Sequence, residues 1–375
     1  MLYREFGKTG IKMSALGFGA MRLPMTEIDG NEVVDDEKAI PVIHRAFELG
    51  VNYIDSAPYY CNKLSEVTVG KALKGWRDRV YLSTKNPVED ASGDHWRERL
   101  EGSLKKLDTD YIDFYHMWGI GIESFRNEID VPNGPMEAAL KAKDEGLIKH
   151  ISFSYHDKPE NFIPIVDSGY FESVLMQYNL MDRSNEKNVD YAKEKGLGVV
   201  IMGPVGGGRL GAPSAVIASL LKEKSRSTAE TALRFVLSNP NVDVALSGMN
   251  TLAMVEENAK IASVSAHLTD AEREQIVAMM EEHKKLAELY CTGCNYCKPC
   301  PQGINIPFFF ELMNYHKIYG LTEYARGQYK DAGEGKTWEK TKMPADCIEC
   351  GECEAKCPQH IQIISQLKET HKALA

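Results

Sequence analysis

Short apolar segments alternate with amphipathic segments along roughly the first 265 residues of the chain. The apolar segments are rich in β-branched residues and cover residues 14–21, 51–57, 80–85, 111–118, 148–154, 173–179, 197–203 and 242–248. The segments between them carry apolar positions at helical spacing. Near-continuous apolar strands joined by helices predict a parallel sheet that is buried on both faces.

The number of these units favours one architecture. Eight strand–helix units within about 250 residues fit a closed (β/α)8 barrel better than an open sheet. A doubly wound fold is the alternative, but no G-x-G-x-x-G turn opens a helix after an early strand. We therefore predict an α/β fold with a (β/α)8 TIM barrel over residues 1–285. Two segments that flank the first strand, residues 7–13 and 25–37, are expected to form a lid and an entry loop.

The end of the chain is dominated by cysteine. Three cysteines at i, i+3 and i+6 can supply three thiolates to a cubane cluster, and the fourth, in front of a proline, serves the other cluster in two-cluster ferredoxins. The runs CTGCNYCKPCP and CIECGECEAKCP contain Cys291, Cys294, Cys297, Cys300, Cys347, Cys350, Cys353 and Cys357. We predict two [4Fe–4S] clusters in a small, mainly α-helical, ferredoxin-like iron–sulfur domain over residues 286–375.

Zinc and disulfides are the alternatives for these cysteines. The second run has the bacterial ferredoxin spacing, whereas the first has one residue fewer before its last cysteine. Two zinc ribbons need only four ligands each, which leaves the third C-x2 step and the proline after each run without a reason. A disulfide framework belongs to short secreted chains, and the first residues lack the apolar core of a signal peptide. We therefore expect a reducing compartment, most simply the cytoplasm.

The charge of the chain limits its partners. The formal net charge is −10, which argues against a nucleic-acid partner because such a partner demands a basic face. We also expect no membrane association, since no apolar stretch is long enough to span a bilayer. The Lys-rich stretch KDAGEGKTWEKTK at 330–342 is the local exception. It is interpreted as a solvated loop, with docking of an acidic redox protein partner as the alternative.

Polar side chains stand at the predicted carboxyl ends of the strands, where TIM-barrel enzymes carry their chemistry. Asp55 ends the second strand, Lys85 the third and Trp118 the fourth, and Tyr60 follows in a loop. A free phenol titrates at about pH 10, and an adjacent ammonium held by a carboxylate lowers that pKa. The tyrosine, lysine and aspartate therefore predict a general acid/base for a carbonyl or an alcohol. The alternative is a structural ion pair next to a phenol.

Several segments together carry a family resemblance. They are DSAPYY at 55–60, Lys85 in STK, the start YREFGKTGIKMSALGFGAMRLP at 3–24, and LSGM at 246–249 with Glu257 and Asn258. Over residues 3–265 the chain resembles the aldo-keto reductases. With its cysteine-rich tail it resembles the bacterial members that carry a C-terminal 4Fe–4S ferredoxin-type domain. The resemblance implies that Tyr60 donates a proton, that Lys85 tunes its pKa and that Asp55 anchors Lys85.

A nicotinamide dinucleotide, NAD(H) or NADP(H), is the cofactor that the resemblance implies. The glycine-rich loop GPVGGGRLG at 203–211 can bring backbone N–H groups and an arginine to a pyrophosphate. The candidate cofactor residues are Gly19, Ala20, Met21, Asp55, Ser154, Tyr155, Met202, Gly203, Val205, Gly207, Arg209, Gly248, Met249, Glu257 and Asn258. The implied adenosine loop at 247–254 contains no lysine or arginine. Because a 2′-phosphate normally calls for a cation, we favour NAD(H).

The chain departs from the family pattern at two positions. Trp118 stands where the family's D-x-Y-x-x-H pattern has a catalytic histidine. His116 lies two residues earlier on the same strand face, about 7 Å deeper in the barrel at ~3.3 Å per residue. We therefore interpret His116 as a core residue, with a direct catalytic role as the alternative. Leu175 stands where relatives often have a glutamine that holds the carboxamide.

These observations predict an NAD(P)-dependent oxidoreductase that transfers hydride between nicotinamide and a small carbonyl or alcohol substrate. A sugar or polyol substrate is a further option, because aromatic residues stand at the predicted mouth. The alternative, motivated by Trp118 and Leu175, is an altered barrel without reductase activity that serves as an electron-transfer or binding subunit. The predicted clusters either pass single electrons to a redox partner or brace the C-terminal segment.

Overall fold

The computed structural model describes residues 1–221, 227–264, 268–288, 291 and 293–375. It contains two compact units. The first comprises Met1–Pro204 with Leu233–Leu268, and the second comprises Val205–Ala232 with Thr269–Ala375. The second unit thus combines residues 205–232, which interrupt the barrel sequence, with the C-terminal region. The domain boundary that the sequence analysis places at residue 285 stays a prediction.

The first unit contains a closed barrel of eight parallel strands. Each strand pairs with the next along the chain, and the eighth strand pairs with the first to close the barrel. We number the strands β1 to β8 in chain order: Leu16–Gly19, Tyr53–Asp55, Tyr81–Pro87, Ile112–Ile120, Ile148–Tyr155, Ser173–Gln177, Gly198–Met202 and Val244–Ser247. Every predicted apolar segment overlaps one of these strands, so the predicted (β/α)8 barrel is confirmed.

Helices follow the strands and cover the outside of the sheet. The longer ones are Asp36–Glu48, Ser65–Leu73, Gly93–Leu107, Pro135–Asp144, Glu186–Lys195, Thr228–Leu237 and Leu252–Ile261, with a short helix at Phe162–Val166. Local signals set their ends. The Ser92 hydroxyl accepts from the His95 N–H at the start of one helix, and Gly196, with φ of 86°, ends another in the left-handed conformation.

A hairpin closes the amino end of the barrel. Its strands, Tyr3–Glu5 and Lys12–Ser14, are antiparallel, and Phe6 and Met13 are fully buried in a cluster with residues from the barrel strands. A side-chain carbon on Gly198, at the start of β7, would lie 2.4 Å from the Phe6 ring. The segment 7–13 therefore belongs to a plug at the base of the barrel. The prediction of a lid is wrong, because the apolar side chains on both sides of this polar turn are buried.

The second unit is mainly helical. Its longer helices are Asp270–Glu288, Ile306–Lys317, Thr322–Gly333 and Ile363–Leu374, with shorter ones at Ala215–Ala218 and Glu352–Lys356. Apolar side chains such as Phe309, Phe310 and Leu367 form its buried core. Among the described residues, no helix combines the length and the apolar character needed to cross a bilayer.

The basal cluster makes a testable prediction about stability. Leu175 is 1 % exposed and packs in this cluster, whereas Leu140 is 40 % exposed on a helix. We expect Leu175→Ala to lower the free energy of unfolding by about 2–5 kcal/mol, because it removes buried methyl groups and leaves a cavity. Leu140→Ala is the matched control and should change it by less than about 1 kcal/mol. Denaturant unfolding measures both, and equal losses would contradict the placement of Leu175.

Candidate functional site

A buried ion pair lies at the carboxyl end of the barrel strands. Asp55 ends β2 and Lys85 lies in β3, and the Lys85 Nζ atom is 2.5 Å from Asp55 Oδ2. The same Nζ donates to the Ser56 carbonyl oxygen at 2.7 Å, and the Ser83 hydroxyl donates to Asp55 Oδ1 at 2.8 Å. Burial disfavours the ammonium, but Asp55 and Tyr60 outweigh burial and raise the pKa of Lys85. Lys85 is therefore a fixed cation at neutral pH.

Tyr60 lies beside this cation. The Lys85 Nζ atom is 4.8 Å from the centroid of the Tyr60 ring. Burial is the largest influence on the phenol, and it raises the pKa of Tyr60 although Lys85 acts in the opposite direction. The expectation that Lys85 makes this phenol unusually acidic is therefore wrong in its net direction. At neutral pH the phenol keeps its proton, which suits a proton donor.

His116 is a core residue linked to the ion pair through a serine. It is fully buried, and its Nε2 atom lies 2.9 Å from the Ser83 hydroxyl. Because that hydroxyl donates to Asp55, the imidazole is the donor to Ser83. Burial and then Lys85 lower the pKa of His116 to about 3, so the ring is neutral at neutral pH. This hydrogen bond supports the interpretation of His116 as a core residue. Through Ser83, His116 also helps to hold the Asp55 carboxylate in place.

Trp118 forms part of the wall at the barrel mouth. Its ring stands edge-on to Tyr60 with centroids 5.8 Å apart, and it also packs against Tyr59 at 5.5 Å. The register of β4 against β5 shifts between Met117 and Ile120. This irregularity follows His116, so it does not lift that histidine towards the mouth. Trp118 therefore contributes an aromatic wall at the position where the family pattern has a histidine.

Two candidate cofactor residues lie at the end of β5. Ser154 is fully buried, and its hydroxyl accepts from the Gly119 N–H at 2.7 Å. Tyr155 is 1 % exposed, and its hydroxyl donates to the Lys158 carbonyl oxygen. Both side chains are thus engaged in holding the neighbouring loops.

Gln177 is a polar residue at the end of β6 that the sequence analysis did not single out. Leu175 belongs to the basal cluster, whereas Gln177 lies two residues later on the same face of β6 and ends the strand. A side-chain carbon on Gly203 would lie 2.4 Å from the Gln177 Oε1 atom. The amide of Gln177 therefore stands against the bare backbone of Gly203, and Met202 precedes it at the end of β7. Leu175 itself lies in register with Ser154 on β5, and the departure from the family pattern at this position stays a prediction.

The loop after β1 adjoins the loop after β8. Gly19 ends β1, Ala20 is buried and Met21 is 57 % exposed. A side-chain carbon on Gly248 would lie 3.9 Å from the Arg22 Cβ atom. An arginine from outside the stretch 247–254 therefore lies next to the predicted adenosine loop.

The remaining candidate cofactor residues of the loop after β8 are either buried or exposed. Met249 is fully buried, and the Asn258 amide donates to the Ser247 hydroxyl at 3.2 Å. Glu257 is exposed. Met249 and Asn258 thus hold the shape of the loop, and Glu257 is presented to its surface.

The glycine-rich loop divides between the two units. Val205, Gly207 and Arg209 belong to the second unit. The Arg209 guanidinium donates to the Tyr315 hydroxyl, and it lies 3.9 Å from a Glu311 carboxylate oxygen. Within the second unit, Arg209 is therefore already engaged by a helix of the C-terminal region, a contact that the sequence did not reveal.

The eight clustered cysteines line two neighbouring cavities of the second unit. The first is bordered by Cys291, Cys294, Cys297 and Cys357, with apolar side chains that include Ile306, Phe310 and Ile363. The second is bordered by Cys300, Cys347, Cys350 and Cys353, with Ile306, Ile364 and Leu367. Cys297 also borders the second cavity. The last cysteine of each run therefore joins the first three of the other run.

This arrangement fits iron–sulfur clusters better than single zinc ions. Four thiolates around zinc each approach to about 2.3 Å, but within the described part of the chain no three Cys, His, Asp or Glu side chains converge closely enough to bind one metal ion. Burial and neighbouring thiols raise the pKa of Cys297 to about 11. A bound metal centre would hold these thiols as thiolates at neutral pH.

Comparison with known proteins agrees with both units. The sequence model of the Aldo/keto reductase family matches residues 15–281. The chain belongs to the aldo/keto reductase family. A second match, to a 4Fe-4S dicluster domain, covers residues 290–362. The chain is an aldo-keto reductase family oxidoreductase homologue with a C-terminal 4Fe–4S domain.

Individual relatives cover the barrel region. The chain is 29% identical to L-galactose dehydrogenase from Arabidopsis thaliana, over 76% of this chain and 95% of that protein. It is 28% identical to the uncharacterized oxidoreductase YqkF from Bacillus subtilis, over 76% and 97%. The holo form of aldo-keto reductase AKR11C1 from Bacillus halodurans is 31% identical, covers 74% of this chain and 95% of its own, and has a TM-score of 0.63.

Ser83 and Gln177 are polar residues of the candidate site that the sequence analysis did not identify. Ser83 binds Asp55 and His116, and Gln177 stands against Gly203. Each lies two residues from a residue that was recognised, Lys85 in the first case and Leu175 in the second. Since alternate residues of a strand share a face, that spacing was the signal that could have identified both.

Proposed function

We propose that the chain is an NAD(P)(H)-dependent oxidoreductase that interconverts a carbonyl compound and an alcohol, with Tyr60 as the proton donor and acceptor. The observation that carries the proposal is the Lys85 ammonium, buried with Asp55 and held against the Tyr60 ring at the barrel mouth. A bound nicotinamide would supply or accept the hydride. The protein supplies the proton, the orientation of the substrate and a site screened from water.

Each residue has a distinct part in the proposed reaction. In reduction, the Tyr60 hydroxyl passes its proton to the carbonyl oxygen as negative charge develops there. Lys85 stabilises the phenolate that remains, and Asp55 keeps the ammonium in place. In oxidation, the phenolate takes the proton of the alcohol. Because burial raises the pKa of Tyr60, reduction is favoured near neutral pH and oxidation gains as pH rises.

Residues around the mouth fit a nicotinamide dinucleotide. Gly203, with φ of 64°, brings bare backbone against the Gln177 amide. Gln177 is therefore the proposed partner of the carboxamide. Arg22 lies next to Gly248, so a cation lies beside the loop 247–254 although the loop itself contains none. The absence of basic residues in that loop therefore no longer favours NAD(H). We propose NAD(P)(H) without a preference between them.

The aromatic wall supports a polyol or sugar-like substrate. Trp118 packs against both Tyr59 and Tyr60, and aromatic rings suit the apolar faces of sugar rings. The similarity to an L-galactose dehydrogenase points in the same direction. Sugars and polyols therefore belong in the first substrate screen with simple aldehydes and ketones.

We propose that the second unit holds two [4Fe–4S] clusters, one in each cysteine-lined cavity. Hydride carries two electrons, whereas each cluster passes one electron at a time. The proposed function therefore assigns the clusters to single-electron exchange with a redox protein partner or to bracing the C-terminal region.

A titration of the anaerobically purified protein with NADH and with NADPH tests the proposed function. We expect at least one of them to bind at micromolar concentration and to be oxidised in the presence of a carbonyl substrate. An altered barrel that serves only as an electron-transfer or binding subunit, which Trp118 motivates, would bind neither. That result would refute the oxidoreductase proposal.

Tyr60→Phe tests the proton donor. We expect kcat to fall by roughly 10²–10⁴-fold, the usual contribution of a general acid, while the dissociation constant of the nicotinamide changes little. Tyr59→Phe is the matched control, because Tyr59 is its sequence neighbour, 47 % exposed, and donates to Glu89. Steady-state kinetics and fluorescence titration measure the two effects. Similar kcat losses in both variants would contradict the role of Tyr60.

Cysteine-to-serine variants test the pairing of the two runs. Cys357→Ser should damage the cluster of the first cavity and Cys300→Ser that of the second. Each is expected to remove about half of the bound iron, about four of eight atoms. Cys61→Ser is the control, since Cys61 lies outside both runs, and it should keep all of the iron. Iron analysis with electron paramagnetic resonance provides the measurement, and zinc in place of iron would overturn the assignment.

A further inference from the structure

The turn that follows Tyr60 has an unusual backbone. Cys61, Asn62 and Lys63 are consecutive residues with positive φ angles of 50°, 55° and 70°. Residues other than glycine adopt this left-handed conformation only at a cost, although asparagine tolerates it better than most. A run of three persists only where the surroundings hold it. The strained run lies directly after the proposed proton donor.

A hairpin at the mouth holds this turn from one side. Its strands are Met25–Ile28 and Asn31–Val34, and they are antiparallel. The Asn62 side-chain amide donates to both the Glu32 carbonyl oxygen and the Glu32 carboxylate, each at 3.1 Å. The amide therefore makes two contacts with a single hairpin residue, one of them to a charged group.

Hydrogen bonds close the turn on itself and anchor its far end to the loop after β1. The Leu64 N–H donates to the Cys61 carbonyl oxygen at 3.0 Å, and the Ser65 N–H donates to the Tyr60 carbonyl oxygen at 3.3 Å. The Ser65 hydroxyl donates to the Ala20 carbonyl oxygen at 2.8 Å. Tyr60 thus starts a closed loop whose end is fixed to the protein interior and whose middle is fixed through Asn62.

We propose that Asn62 is a positioning residue for Tyr60. Its amide ties the left-handed turn to Glu32 and thereby fixes the Tyr60 phenol against Lys85. The inference rests on the proposed function of Tyr60 and extends it to the hairpin, which is then part of the mechanism. Asparagine suits the position because it combines tolerance of positive φ with a short donor group.

Two variants separate the effect of the Asn62 amide hydrogen bonds from the effect of the left-handed backbone conformation of the turn. Asn62→Gly keeps a residue that adopts positive φ freely but removes the amide, whereas Asn62→Ala removes the amide and disfavours the conformation. Asn133→Gly is the matched control, because Asn133 has φ of 57° and is exposed in a turn of the same unit. The control changes the same residue type in the same backbone conformation.

Trp118 reports directly on the position of Tyr60, because the two rings are in contact. The emission of Trp118 is obtained by subtracting the spectrum of the same protein with Trp118→Phe. For Asn62→Gly we expect a shifted Trp118 emission, a kcat reduced by roughly ten- to hundredfold through misplacement of the phenol, and a nicotinamide dissociation constant within about twofold of wild type. The thermal midpoint should stay close to that of Asn133→Gly.

Unchanged emission and unchanged kcat in Asn62→Gly would overturn the inference. A kcat loss with an equal loss of nicotinamide affinity would overturn it too, since it would indicate a general disturbance of the mouth. If the wild-type protein binds no nicotinamide, the proposed function fails, but the Trp118 emission still tests whether Asn62 positions Tyr60. The two failures are therefore distinguishable.

Discussion

The ion pair between Lys85 and Asp55 is the interaction on which the barrel mouth depends. Both side chains are almost completely buried, and removing one partner of such a pair costs about 3–5 kcal/mol because it leaves an uncompensated charge. The Ser83 hydroxyl and the neutral ring of His116 complete the hydrogen bonds behind Asp55. The pair joins two adjacent strands, so closure of the barrel fixes the cation that Tyr60 faces.

The barrel itself was predictable because its strands are buried on both faces. Such strands read as continuous apolar segments, and all eight stand out in the sequence. The direction of the Tyr60 pKa was not predictable in the same way. A sequence displays the charge of Lys85 next to a phenol, but it does not display how deeply that phenol is buried, and burial is the larger influence here.

Register along a strand limited the rest of the prediction. A shift of two residues decides whether a side chain belongs to the barrel core or to its mouth, and a short polar strand end gives little indication of which. Gln177, two residues beyond Leu175 at the end of β6, was missed for this reason, whereas His116 was placed in the core below Trp118. The hydrogen bond from Arg209 to Tyr315 joins residues that are distant in sequence. No short-range sequence pattern predicts such a contact.

The central claim is that a buried cation opposes the effect of burial on a proton-donating phenol. Nuclear magnetic resonance of protein labelled at the tyrosine Cζ carbon can follow the ionisation of Tyr60, assigned through the Tyr60→Phe spectrum. The account predicts that Tyr60 in the wild type titrates above the ordinary value of about 10, and that Lys85→Met moves its pKa higher still. A Tyr60 pKa that is the same in both proteins, or that falls when Lys85 is replaced, would contradict it.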